Sequence, residues 1–188
     1  MKEGKLIVIS GPSGVGKTTL YKRILSDFRD KIDFSVSLTT RKPRSGEIDG
    51  KDYRFISKEQ FLKKIKDGDF VEWAEVHHNL YGTPKSEING ILGSGKSCLL
   101  DLDVQGGVNI KKSFPDAFLI FIMPPSVEEL KNRLRSRRTD DNETLETRLQ
   151  NALKEMSYAS HYDMEIINDD LEIAYNQLRD CIMDLLNG

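Results

Sequence analysis

The sequence predicts an α/β fold: a three-layer core built on a parallel sheet, interrupted by a mixed α+β insertion and closed by a helical lid. Three observations predict it. Continuous apolar runs bounded by turn residues recur along the chain, each followed by a helical pattern, as expected of strands buried on both faces of a parallel sheet. The rhythm breaks between about residues 35 and 93, where turn residues are dense. A polar, arginine-rich stretch, RLRSRRTDDNETLETRL, then runs from Arg133 to Leu149 with few apolar positions to bury and reads as a mobile cover.

The elements follow in order. Lys5–Ser10 is an apolar run stopped by Gly-Pro, a buried strand. Leu20, Ile24, Leu25 and Phe28 then recur at helical spacing, so the glycines between Ser10 and Leu20 join a strand to a helix. Within the insertion, FSVSLTT and DFVEWAEVHH read as β structure. Ser57 and Gln60 form a capping box that opens a short helix, and Gly68 ends it. Ser97–Leu102, Phe118–Met123 and Met164–Ile167 are the remaining core strands. Ser126 and Glu129 form a second capping box. Leu171, Tyr175, Leu178, Ile182 and Leu185 share one side of a closing helix. The chain therefore divides into a core (1–34, 94–125 and 161–188), an insertion (35–93) and a lid (126–160).

Composition narrows the function. The chain has 188 residues, 38% hydrophobic and 31% charged, which fits one soluble globular domain with room for an insertion. A net charge of -2 gives no broad basic field for nucleic acid, so any anion must meet a local site. No apolar run approaches the ~20 residues that span a membrane, and the run after Met1 is too short for a signal-peptide core. Cys98 and Cys181 lie in apolar surroundings and read as core thiols of a reducing compartment, so the expected location is the cytoplasm. His77 and His78, adjacent on an expected strand, would point to opposite faces and make poor joint metal ligands.

The chemistry begins at Gly11-Pro12-Ser13-Gly14-Val15-Gly16-Lys17-Thr18-Thr19. It fits G-x-x-x-x-G-K-[ST] at every fixed position, with a strand before and a helix after. Glycines let successive N–H groups converge on phosphate, and the helix N-terminus adds positive potential. Lys17 supplies charge to the β- and γ-phosphates, and the Thr18 hydroxyl suits Mg²⁺. This P-loop identifies a nucleoside triphosphate site without choosing among switch, motor and kinase.

A GTPase would also need N-K-x-D to specify guanine. Asp103-Val-Gln-Gly106 fits the D-x-x-G half of that pattern, but the tetrapeptide N-K-x-D does not occur. A motor would need a longer chain. A small phosphotransferase needs a second anion pocket and additional cations. Arg41 and Arg44, set around Pro43, together with Tyr53 and Tyr81, supply groups of that kind.

The segments FSVSLTTRKPRSGEIDGKDYRF, FVEWAEVHHNLYGT, LLDLDVQG and NDDL, in this order and spacing, resemble the guanylate kinase family over nearly the whole chain. The resemblance implies transfer of the ATP γ-phosphoryl to GMP with Mg²⁺, on a P-loop core with a GMP-binding insertion and a lid. It implies that Ser37, Arg41, Arg44, Tyr53 and Tyr81 hold the GMP phosphate. Glu72 and Thr83 would read guanine, with Asp101 or Asp103 assisting near the base and the metal, directly or through water. Arg133, Arg137 and Arg148 would close on the triphosphate, and Asn168 and Asp169 would lie near adenine.

The family's Arg-Gly-Thr lid sequence is replaced here by Arg137-Arg138-Thr139, which leaves the choice among Arg135, Arg137 and Arg138 open. Acceptance of dGMP turns on contacts to the 2′-OH that no motif fixes. A silent protein-binding relative, or a kinase for another base, remains the alternative class. The intact Lys17, Thr18 and lid arginines favour catalysis over the first, and Glu72 with Thr83 favours guanine over the second.

The residue chemistry agrees with this resemblance. Guanine presents N1–H and N2–H₂ side by side, so one carboxylate accepts both, whereas adenine would face it with a lone pair. The nucleophile is a phosphate oxygen already ionised at neutral pH, so no general base is required. Alignment of two substrates also implies that segments 35–93 and 126–160 close toward each other.

Overall fold

Leu6–Ser10 is buried at all five positions and forms β1, the middle strand of a parallel sheet. The structure, a computed structural model, describes residues 4–76, 78–136 and 142–188. The sheet is completed by β2 (Ile32–Phe34), β7 (Ser97–Asp101), β8 (Phe118–Met123) and β9 (Met164–Ile167), in the order β2-β7-β1-β8-β9. All its pairings are parallel.

Side-chain alternation sorts the core into two layers. Ile7, Ile9, Leu99, Ile120 and Ile122 face α1 (Lys17–Asp27) and α7 (Leu171–Asn187), meeting Leu20, Ile24, Leu178 and Ile182. Leu6, Val8, Leu100 and Leu119 face the opposite way. They meet Ile88 of α3 (Lys85–Gly93) and Ile110 of α4 (Val104–Ser113). Burying each such side chain contributes about 1.5–3 kcal/mol. This is the three-layer α/β core that the sequence predicts.

Two details differ from the sequence reading. The sheet has a fifth strand, β2, and its ladder runs on into the expected insertion, where Ser35 N donates to Leu99 O at 2.9 Å. Ile-Asp-Phe is too short and too polar to register as an apolar run, and its pairing with β7 is what makes it a strand. In α7, Leu171 is 38% exposed, because it occupies the first turn beyond the Asp170 cap, outside the buried stripe of Ala174, Tyr175, Leu178 and Ile182.

The insertion carries a second sheet in the order β4-β3-β6-β5. Its strands are β3 (Leu38–Thr39), β4 (Arg54–Phe55), β5 (Phe70–Val76) and β6 (Asn79–Pro84). Helix α2 (Lys58–Lys66) covers it, with Phe61 stacked on Phe70 at 4.5 Å. The Ser57–Gln60 capping box is complete in both directions. At the other end, Gly68 N donates to Ile65 O and Asp69 N to Lys64 O, with Gly68 at φ +70, a Schellman stop. His77 lies outside the described residues. His78, at φ +62, sits in the connection from Val76 to Asn79 rather than on a strand.

Helices α5 (Val127–Ser136) and α6 (Asn142–Met156) pack together through Leu130, Leu134 and Ala152. Ser126 Oγ accepts from Glu129 N as expected of a capping box. The Glu129 carboxylate is drawn instead to Arg133 Nε at 2.9 Å. Among the described residues, no helix is long and apolar enough to cross a membrane.

Candidate active site

The carboxyl ends of β1 and β7 lie side by side, with Ile9 opposite Asp101. In parallel α/β sheets, ligands bind beyond such strand ends. Beyond β1 the backbone takes positive φ at Gly11, Gly14 and Gly16 (144°, 90° and 97°) and then enters α1 at Lys17. Lys17 Nζ reaches back across this loop to Gly11 O at 2.7 Å. Thr18 and Thr19 are exposed on the first turn of α1. Pro12 O accepts from Val15 N, and Ser13 Oγ accepts from the Arg148 guanidinium at 3.2 Å, which brings α6 to the loop.

A pocket of about 220 Å³ lies beside this loop. It brings together Thr18, Ser37, Arg41, Arg44, Tyr53, Tyr81 and Asp101, all expected from the sequence. Arg41 is its electrostatic centre. Its Nε donates to Tyr81 Oη at 3.1 Å, and its guanidinium lies over the Tyr53 ring at 5.4 Å. Tyr53 in turn meets Tyr81 edge to face at 5.9 Å. Burial, then the charge of Asp101, pushes the Tyr53 phenol up to about 12, so it is a proton donor at neutral pH.

The sequence reading did not single out Glu47, which lines the same pocket. Its carboxylate takes both Arg41 terminal nitrogens at 2.8 and 2.9 Å, and Arg44 N at 2.7 Å. Those hydrogen bonds hold the Glu47 carboxyl below the usual carboxylate range and raise Arg41. An acid three residues beyond Arg44, in the same turn, is the signal that marked it. Asp52, Tyr21 and Phe34 complete the wall.

Glu72 and Thr83 face each other across β5 and β6, and Thr83 Oγ1 donates to Glu72 Oε1 at 2.8 Å. Glu72 is 9% exposed, and burial pushes its carboxyl up to about 7. The second oxygen abuts Gly106, where a Cβ would stand 3.1 Å from it. One position before Thr83, Gly82 has no room for a side chain, since a Cβ would lie 2.8 Å from Phe70 and 2.9 Å from Phe61.

Asp101 and Asp103 separate in role. Asp101 is in the pocket, where burial raises its carboxyl and Lys17 partly offsets that. Asp103 caps α4, accepting from Gly106 N at 2.8 Å, so the D-x-x-G pattern here is an N-cap and its third helical N–H. Arg133 donates to Asn168 O at 2.8 Å. Asn168 is buried, its amide on Val15 O, while Asp169 is exposed. Arg137 lies outside the described residues.

A glycine-rich loop opening beside an arginine-centred pocket, walled by the core and the second sheet alike, is the layout of a nucleoside monophosphate kinase. The sequence matches the guanylate kinase family over residues 3–185. It is 51% identical over 178 residues to a guanylate kinase of Nitratidesulfovibrio vulgaris, covering 95% of this chain and 86% of that one. A guanylate kinase of Fusobacterium nucleatum is 51% identical over 178 residues, 95% of each chain. The crystal structure of guanylate kinase from Anaplasma phagocytophilum superimposes with a TM-score of 0.81 at 34% identity, covering 98% of this chain and 87% of that one. The chain belongs to the guanylate kinase family.

Proposed function

We propose that this protein transfers the γ-phosphoryl group of ATP to GMP, giving ADP and GDP. The observation that carries the reading is the Glu72–Thr83 pair. A buried carboxylate with one oxygen held by Thr83 suits the adjacent N1–H and N2–H₂ donors of guanine. Arg41, Arg44, Ser37, Tyr53 and Tyr81 would take the GMP phosphate, with Glu47 yielding the Arg41 fork as the phosphate arrives. The loop from Gly11 to Thr19 would cradle the triphosphate, and Lys17 would leave Gly11 O for the transferring group. Arg133 and Arg148, on helices α5 and α6, would act from the lid over this site, with the insertion as its acceptor half.

The donors fit Mg²⁺. Thr18 and Asp101 line one pocket, both offer hard oxygen, and a cation there relieves the cost of burying Asp101. Bound there, the ion would neutralise charge on the transferring phosphates. Residues of this chain align the acceptor oxygen and need remove no proton from it. Cys98 and Cys181 are free thiols, which supports a reducing, cytoplasmic setting.

The experiment is a coupled ADP-release assay with GMP, AMP, CMP and UMP as acceptors. GMP is expected to be used far faster than the others. A preference for AMP would refute the role given to Glu72.

A further inference from the structure

We propose that Asn168 is a positioning residue of the triphosphate loop, bracing its backbone instead of reading the adenine ring. This rests on the triphosphate site described above.

Asn168 directly follows β9, and its N–H donates to Met123 O at 2.8 Å, so its main chain is fixed to the end of β8. The side chain is 5% exposed. Its Nδ2 donates to Val15 O at 2.7 Å, reaching across 153 positions of sequence. Val15 is itself only 1% exposed, packed in the core beside Leu20 and Ile122, so the contact joins two fixed points.

The peptide unit between Val15 and Gly16 gives the contact its consequence. In a planar trans peptide the C=O and the following N–H point in opposite directions. With the Val15 carbonyl held by Asn168, the Gly16 N–H is turned away from that amide, which leaves it to serve an anion gathered by the loop. Gly16 also leaves space for the brace. A Cβ at this position would stand 2.5 Å from Asn168 Nδ2. The glycine therefore serves both its own φ of 97° and the close approach of the amide.

The brace also reaches α5. Arg133 donates to the Asn168 carbonyl at 2.8 Å, while its Nε holds Glu129. One residue thus fixes the loop through its side chain and receives the lid helix on its main chain. An amide buried and committed to the main chain in this way is poorly placed to select a base.

Calorimetry with ATP, with inorganic tripolyphosphate and with GMP tests the assignment on Asn168→Asp and Asn168→Ala. The first sets an acceptor against Val15 O, and the second removes the donor without adding charge. Loss of one such hydrogen bond is about a tenfold effect. Both variants are expected to lose about tenfold or more in affinity for ATP and for tripolyphosphate by the same factor, with GMP affinity unchanged. GMP binding reports that the variant is folded. A loss confined to ATP, with tripolyphosphate unaffected, would show a base reader and overturn the proposal, as would no loss for either. A parental chain that binds tripolyphosphate but not GMP would refute the proposed function and leave the brace to be judged on tripolyphosphate alone.

Discussion

Replacing Glu72 with glutamine isolates the cost of keeping a buried carboxylate in the proposed base site. Burial raises this carboxyl from its ordinary 4.5 to about 7. Between those values the folded chain holds a proton that the unfolded chain has released. The contribution to stability is complete below about pH 4.5 and is lost as pH rises through about 7. At about 1.4 kcal/mol per unit, the full swing is about 3 kcal/mol. Glutamine keeps the shape and an acceptor for Thr83 but does not ionise. Urea unfolding of both proteins at pH 4.5, 6, 7 and 8 should show glutamine gaining on glutamate as pH rises, by about 3 kcal/mol at pH 8 relative to pH 4.5. A difference that stays flat across this range would refute the reasoning, since Glu72 would then ionise alike in both states. The functional counterpart has the opposite direction. If Glu72 reads guanine as proposed, the base's donors require the ionised carboxylate, so the KM for GMP should rise as pH falls below about 7.

Two further outcomes are expected. Lys17→Met should abolish phosphoryl transfer while circular dichroism and GMP binding stay unchanged, because among the described residues the Lys17 ammonium hydrogen-bonds to the loop carbonyls Gly11 O and Pro12 O; near-normal turnover would remove Lys17 from the chemistry. Gly82→Ala should cost about 1–3 kcal/mol in urea unfolding, because its methyl group would press on Phe61 and Phe70 from under 3 Å; a neutral result would mean that the aromatic pair has slack.

What was legible in the sequence was whatever rests on a local rule. The P-loop strand and helix, the complete Ser57–Gln60 box and the Gly68 stop each follow from a few consecutive residues. What was hidden depends on partners far along the chain. Ile32–Phe34 is a strand because β7 lies beside it. Glu129 answers Arg133 instead of its own cap, since a guanidinium one turn away outcompetes a main-chain N–H. Of the site, Arg41, Tyr53 and Tyr81 were visible as a polar cluster, but the occupation of Arg41 by Glu47 needed the turn's three-dimensional path. Asn168 shows the same limit most clearly, because a motif can mark the residue but cannot reveal which atom 153 positions away it touches.

The order of the core strands has a consequence for how such a protein changes over generations. Strands β2 and β7 are neighbours, and the whole second sheet is carried within the connection between them, with α3 bringing the chain back. An exchange of that connection leaves every other strand pairing untouched. The seam such a cassette must respect is Glu72 against Gly106, where the inserted sheet meets α4. Gly106 stays behind on α4 in such an exchange, so a recombined connection must bring to that seam a side chain that the glycine's narrow gap admits.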